Sequence, residues 1–302
     1  MIYYTVQKQC FYLWASRIRK KRTNERMKRI ILLTGSELRH DFFRISLGNN
    51  AGFTVVKSYC ESQDANLNSI VEAQADNSLR QQHLQQREQT EKEFFEQFCK
   101  ETPDHSNPEY LEKGDINLEQ RVEEIRLLNP DLLIAYGCSI IQPELIAFFE
   151  GRFINVHLGL SPYYRGSGTN FWPFVNNEPE YVGVSFMYID AGIDTGRIFH
   201  QLRARIEAGD TIHTIGNRLI SDFVQLLPRI IEHFDQLEEA PQITIPKDEE
   251  KYYRNRDFTE ASLKQAYANA SNGMIADYLE NRENRTRKVK IVTNPVLTGN
   301  TL

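Results

Sequence analysis

Asn155-Val156-His157 is the triplet on which chemistry can be built. On an extended backbone alternate side chains share a face, so the Asn155 amide and the His157 imidazole point the same way. The amide can donate to an oxygen that gains negative charge, and the imidazole can carry a proton near neutral pH. A satisfied core histidine would have the same spelling, but the residues that follow weigh against it. Leu158 to Gly166 is turn-rich, with Gly159, Pro162 and Gly166 letting a backbone approach a ligand closely. Asp190-Ala-Gly-Ile-Asp-Thr-Gly196 then holds two carboxylates and two glycines between two expected strands. A carboxylate beside His157 would favour its charged form. On spacing alone Asp190 and Asp194 are both candidates, and each also fits an Asx-type turn.

The elements that must position these groups follow from periodicity. Arg29 to Thr34 is a short apolar run before Gly35, a buried first strand, and Phe53 to Val56 is a second. Leu132 to Tyr136, Phe153 to Val156, Val182 to Ile189 and Arg197 to Ile206 are further strands. Helices are expected over Leu118 to Leu128, over Gln142 to Phe149 with Pro143 in its first turn, and over Thr211 to Phe234 with Asp210 as N-cap. Strand and helix in alternation predict an α/β fold: a Rossmann-like, mainly parallel sheet flanked by helices, with a small C-terminal module. Both Asn155 and His157 then sit where a strand leaves the sheet, the end at which open α/β sheets bind ligands. The expected organisation is a basic leader over 1–27, a catalytic domain over 28–235 and a module over 236–302. Residues 61–115, rich in Gln, Glu, Asp and Asn, are expected as a solvated, mostly helical insertion on the surface.

Composition excludes several classes. The chain has 302 residues, 40% hydrophobic and 25% charged, which is globular. No apolar run approaches the ~20 residues of a membrane span. Four scattered cysteines without a CxxC pair speak against a zinc site or a disulfide framework, and predict a reducing, cytoplasmic setting with no metal. Net charge is −5, but residues 1–30 hold nine basic residues against Glu25, so the rest carries −13. The leader is expected to be flexible, and Met27 offers a second start directly before the first strand. The acidic remainder has no broad basic surface for nucleic acid.

Asn155-x-His157, the Ser161-Pro162-x-x-Arg165-Gly166 loop and Asp190-x-Gly192-x-Asp194-Thr195-Gly196, in this order, resemble the signature of the folate-dependent formyltransferases. That family acts on glycinamide ribonucleotide, methionyl-tRNA or sugar nucleotides. The resemblance covers roughly residues 115–220. Where members usually read His-Pro-Ser-Leu-Leu-Pro, this chain reads His157-Leu-Gly-Leu-Ser-Pro162. It implies formyl transfer from N10-formyltetrahydrofolate to an amine through a tetrahedral intermediate, with Asn155, His157 and Asp194 as the catalytic set. The resemblance, not the spacing, selects Asp194 over Asp190. It places the folate against Cys138, Ser139, Ile140 and Ile141 and against Ile189, Asp190, Ala191, Gly192 and Ile193. Ile140 and Ile141 also read as core, and Cys138 as a small packing residue.

The acceptor amine is read from weaker signals. Pro246 to Thr259, with Tyr252-Tyr253 and Asp257-Phe258, is similar to the tails of formyltransferases acting on amino sugars. An amino-sugar nucleotide is therefore the expected acceptor, with Tyr163, Arg165, Gly166 and Trp172 as substrate contacts and Phe171 and Phe174 as core. Methionyl-tRNA, a purine-pathway ribonucleotide, hydrolysis of the folate and a non-catalytic folate-binding module are the alternatives. Gly35, Ser36, Arg39 and His40 either meet a phosphate or form an ordinary strand-to-helix turn. The sugar-acting members are commonly homodimers.

Overall fold

The computed structural model describes residues 26–62 and 79–298, which alternate strand and helix as the apolar spacing requires. In chain order these are β1 (Lys28–Gly35), α1 (Leu38–Gly48), β2 (Phe53–Glu61), α2 (Leu79–Glu91), β3 (Pro108–Leu111), α3 (Glu119–Leu128), β4 (Leu132–Tyr136), α4 (Pro143–Phe148), β5 (Phe153–His157), β6 (Tyr164–Gly166), β7 (Gly183–Tyr188), β8 (Ile198–Arg203), α5 (Ile212–Glu232), β9 (Lys251–Tyr253) and α6 (Glu260–Ser271). Most of the basic leader and the first part of the expected insertion lie outside the described residues.

Six consecutive residues of β1 are buried, the pattern of a strand covered on both faces. It stands inside a seven-stranded sheet of order β3-β2-β1-β4-β5-β7-β8. The first five strands of that order are parallel, and β7 and β8 pair antiparallel. One face carries α1 and α5, with Phe43, Leu47, Leu219, Phe223 and Leu227 buried against the sheet. The other carries α3 and α4 through Val122, Ile125 and Leu145. Thr211, not Asp210, caps α5: its hydroxyl accepts from the Thr214 amide, and Thr214 returns a bond to the Thr211 amide. Asp210 instead pairs with the buried Arg218 at 2.6 Å. A guanidinium inside the fold needs a carboxylate more than the helix needs a second cap.

The segment expected as a solvated excursion differs from that reading in two ways. Residues 108–111 form β3 and extend the sheet beside β2. α2 continues through a π-helical turn (Lys92–Glu96) and a further helical turn (Gln97–Glu101), and this rod packs on the domain rather than projecting from it. Phe95 is fully buried and stacks on Phe42 with ring centroids 4.6 Å apart. The polar composition is real, but it occupies the outer side of the rod, while Leu84, Phe94, Phe95 and Phe98 supply the inner one. Phe95→Ala is expected to cost about 3–5 kcal/mol of unfolding free energy in urea titrations, as for a core aromatic. A change below about 0.5 kcal/mol would mean that the segment is the surface appendage its composition suggests.

The tail is threaded through the domain. β9 pairs parallel with β6, setting Gly166 opposite Tyr253. Further on, the Gln201 amide donates to the Val292 carbonyl at 2.7 Å and the Gln201 side chain accepts from the Val292 amide at 2.9 Å. α6 lies against the short helix Trp172–Val175, where the Asn269 amide donates to the Phe174 and Val175 carbonyls.

Candidate active site

β5 ends at His157, and its alternation turns the Asn155 and His157 side chains to one side, as the extended backbone requires. The segment between β7 and β8 brings Asp194 onto them. Its Oδ1 lies 3.1 Å from His157 Nδ1 and accepts from Asn155 Nδ2 at 3.4 Å, while its Oδ2 accepts from the Gly166 amide at 3.4 Å. Asp194 has φ 52°, a left-handed conformation that costs a non-glycine residue energy and recurs at functional sites. Burial alone would raise its carboxyl. The hydrogen bond and charge of His157, the Gly166 amide and the Arg165 guanidinium outweigh burial and hold it below the usual carboxylate range. An ionised Asp194 accepts the Nδ1 proton of His157, which leaves Nε2 as the working nitrogen. That Nε2 is buried and has no protein partner among the described residues. Gly159 is what leaves it room, because a Cβ there would stand 2.6 Å from Nε2.

All three groups line one cleft of about 1290 Å3. Cys138, Ser139, Ile140 and Ile141 line it, as do Ile189, Asp190, Gly192 and Ile193. Ala191 does not. Ile141 is a core residue, whereas Ile140 is 70% exposed and Ile193 46% exposed, so two apolar side chains stand open at the cleft rather than in the interior. Ser139 Oγ is buried without a partner, and the Ser139 amide donates to Glu61 Oε2 at 2.6 Å, which fixes the loop. Apolar rims, an orphaned hydroxyl and a chain of backbone groups fit a flat heterocycle such as the pterin of a folate. Burial, with the Glu61 carboxylate second, pushes the Cys138 thiol up to about 12, so it stays protonated and is no nucleophile. Asp190 accepts from the Gly192 amide and the Thr195 hydroxyl. It is the turn former of the pair, and Asp194 is the group beside the imidazole.

The expected acceptor contacts divide. Gly166 and Trp172 line the cleft. Tyr163 does not: it is buried against Leu160 and Val289, and its hydroxyl donates to the Lys290 carbonyl at 3.1 Å. Arg165 is a strut, pairing with Glu250 of the tail and donating to the Ile193 carbonyl at 3.2 Å, one residue before Asp194. Trp172 is buried, with its ring stacked on Tyr253 at a centroid distance of 4.0 Å. Phe174 is core as expected and also borders the cleft, and Phe171, half-buried against the same core, lines the cleft beside it. Of the first-strand loop, Arg39 is paired with Glu37 and Glu91, and His40 is buried and held neutral, so the ordinary-turn reading fits it.

Sequence reasoning missed a polar wall formed by α2, α5 and α6. His83 Nδ1 lies 3.0 Å from the Tyr267 hydroxyl, and the His83 and His213 rings are 4.6 Å apart. No spacing signal could have joined residues so far apart in the chain. Burial first, then neighbouring positive charge, holds His83 down to about 3 and His213 to about 4; the same two causes hold His200, a buried residue of β8, to about 4. An unfolded chain titrates all three near ~6.5. As pH falls below that value the unfolded state takes up protons first, so their contribution to stability is whole above about pH 6.5 and drains away towards about pH 4 for His213 and His200 and about pH 3 for His83. Each unit of depression withdraws about 1.4 kcal/mol per histidine. The urea midpoint is therefore expected to drop between about pH 7 and about pH 5, and to drop less in His83→Gln. Equal slopes in the two proteins would refute this.

A mainly parallel sheet with an Asn–His–Asp set at a strand end and a large, partly apolar cleft beside it is an arrangement suited to acyl-type group transfer. The formyl transferase family profile matches residues 29–231, and the chain belongs to that family. It is 36% identical over 137 residues to the methionyl-tRNA formyltransferase of Desulforamulus reducens, covering 44% of this chain and 42% of that one. With the methionyl-tRNA formyltransferase of Caldanaerobacter subterraneus it shares 31% over 150 residues, 49% of this chain and 44% of the other. The matches thus span less than half the length of these curated relatives. Among solved structures, a sugar N-formyltransferase from a Shewanella species has a TM-score of 0.51 at 17% identity, covering 80% of this chain and 88% of that one. A phosphoribosylglycinamide formyltransferase from Anaplasma phagocytophilum has a TM-score of 0.50 at 13% identity, covering 76% and 100%. At such identities these two likenesses speak for the fold alone. N10-formyltetrahydrofolate is the formyl donor of the family, and Cys138–Ile141 with Ile189–Ile193 are the segments that would hold it.

Proposed function

We propose that this chain transfers a formyl group from N10-formyltetrahydrofolate to the primary amine of an amino-sugar nucleotide. The observation that carries the reading is one cleft shared by the catalytic set, the apolar rims at Ile140 and Ile193, and the tail residues Arg254, Arg256 and Phe258. Sites for single small ligands run to roughly 300–1,000 Å3, and this cleft has room for two molecules side by side.

N10-formyltetrahydrofolate brings a carbonyl activated for attack by an amine. Asn155 has a second Nδ2 hydrogen beyond the one directed at Asp194, and donates it to the formyl oxygen as charge gathers there. His157, when protonated, donates from Nε2 to the same oxygen. Asp194 holds the imidazole by Nδ1 and offsets its charge, and is placed to pass the attacking amine's proton through water towards N10, so that the carbon–N10 bond breaks and tetrahydrofolate leaves as the neutral amine.

A methionyl-tRNA acceptor is the second reading, favoured by the names of the curated relatives. A panel assay separates them. The protein is given N10-formyltetrahydrofolate with dTDP-, UDP- and GDP-linked amino sugars, glycinamide ribonucleotide and charged initiator tRNA, and mass spectrometry scores the gain of one formyl group. Formylation of a sugar nucleotide is the expected result; transfer to tRNA alone defeats the reading.

A further inference from the structure

We propose that the part of the cleft built by α2 and the tail is a docking site for the diphosphate of a nucleotide, with Arg80, Arg254 and Arg256 as its ligands. The proposal deepens the acceptor reading above and rests on it.

The argument is one of charge. The cleft is lined by both signs, but its carboxylates are already engaged. Glu37 and Glu91 are held by Arg39 and Arg87, Glu88 by Lys92, and Asp194 by His157. Glu61 accepts the Gly114 and Ser139 amides, and Asp190 closes its own turn. Arg80, Arg254 and Arg256 line the same cleft, and among the described residues none of their guanidinium groups pairs with a carboxylate. Glu260 is close, but it accepts from the Arg80 backbone amide, not from the side chain.

The three belong together in space. Arg80 donates to the Phe258 carbonyl and lies 5.5 Å from the Phe258 ring centroid, which ties α2 to the segment carrying Arg254 and Arg256. Arg80 Nε is buried without a partner. A second orphan, Asn217 Nδ2 on α5, lies in a residue 5% exposed that lines the cleft. Three guanidinium groups without a carboxylate partner suit a ligand with several acceptor oxygens and more than one negative charge, which is phosphate chemistry rather than that of a lone carboxylate. The first-strand loop offers no rival site, because its Arg39 is spent on Glu37 and Glu91.

The test is calorimetric titration of the full chain with UDP, dTDP, GDP and inorganic pyrophosphate, at low and high salt, beside Arg254→Ala/Arg256→Ala and Arg80→Lys. At least one nucleoside diphosphate is expected to bind the wild type, and the double variant to bind it about tenfold or more weakly, with tetrahydrofolate affinity unchanged. Equal nucleotide affinity in the double variant, or a wild type that binds tetrahydrofolate but no nucleoside diphosphate, overturns the proposal. So does loss of tRNA binding alone in the double variant, which would make these arginines readers of an RNA backbone. Kinetics with an amino-sugar nucleotide separates the two levels. An unchanged KM in the double variant removes the docking site and leaves the transferase reading standing. Arginine-dependent nucleotide binding with no sugar formylation removes the acceptor reading instead.

Discussion

Asp194→Asn is expected to lose about 10³–10⁴-fold in kcat and to remain folded. The reason lies in how many donors converge on one carboxylate. His157 Nδ1, Asn155 Nδ2 and the Gly166 amide all address it, and it is ionised. An amide of the same shape offers one acceptor oxygen and turns an N–H towards one of those donors, so either the imidazole takes the wrong tautomer or Asn155 swings away. The charge that steadies a protonated His157 is lost in either case. Asn155→Ala, which removes a single oxyanion donor, is expected to lose less, about 10²–10³-fold. Steady-state kinetics with thermal melts decides the matter. Turnover in Asp194→Asn within about threefold of wild type would remove this carboxylate from the mechanism.

Gly166→Ala is expected to cost both stability and activity, and to cost them together. Gly166 sits at φ 91°, where an alanine pays roughly 1–2 kcal/mol for its backbone alone. Its Cβ would also collide with the Tyr253 carbonyl oxygen, the atom to which Ser167 donates at 2.8 Å. Relief requires β6 and β9 to part. The Gly166 amide would then leave Asp194, and Arg165 would lose its hold on Glu250. A fall of several degrees in melting temperature is expected with a loss of at least about tenfold in kcat/KM. A stable variant of normal activity would show that the tail is no part of the active site.

How far each conclusion was legible in the sequence depends on the range of the interaction behind it. Ile30 to Leu33 and Leu132 to Tyr136 announced buried parallel strands, because a strand covered on both faces must be apolar at every position. Asn155 and His157 announced a shared face, because the pleat has a period of two. The choice between Asp190 and Asp194 was not readable from spacing, since both carboxylates suit the same turn and only the folded loop shows which one meets the imidazole. Tyr163 looked like a ligand contact because it stands in the catalytic loop. In fact its ring is claimed by Val289, more than a hundred residues away.

The local periods and the Asn-x-His spacing thus determined the α/β architecture and the shared face of two of the three proposed catalytic groups, since both arise from neighbours along the chain. The tertiary structure alone decided that α2 and the tail line one cleft, that Arg165 serves as a strut, and that Arg80 meets Phe258 in the segment that carries Arg254 and Arg256. Those facts depend on which distant surfaces bury one another, and a charged or aromatic side chain reads the same in sequence whether its partner turns out to be protein or ligand.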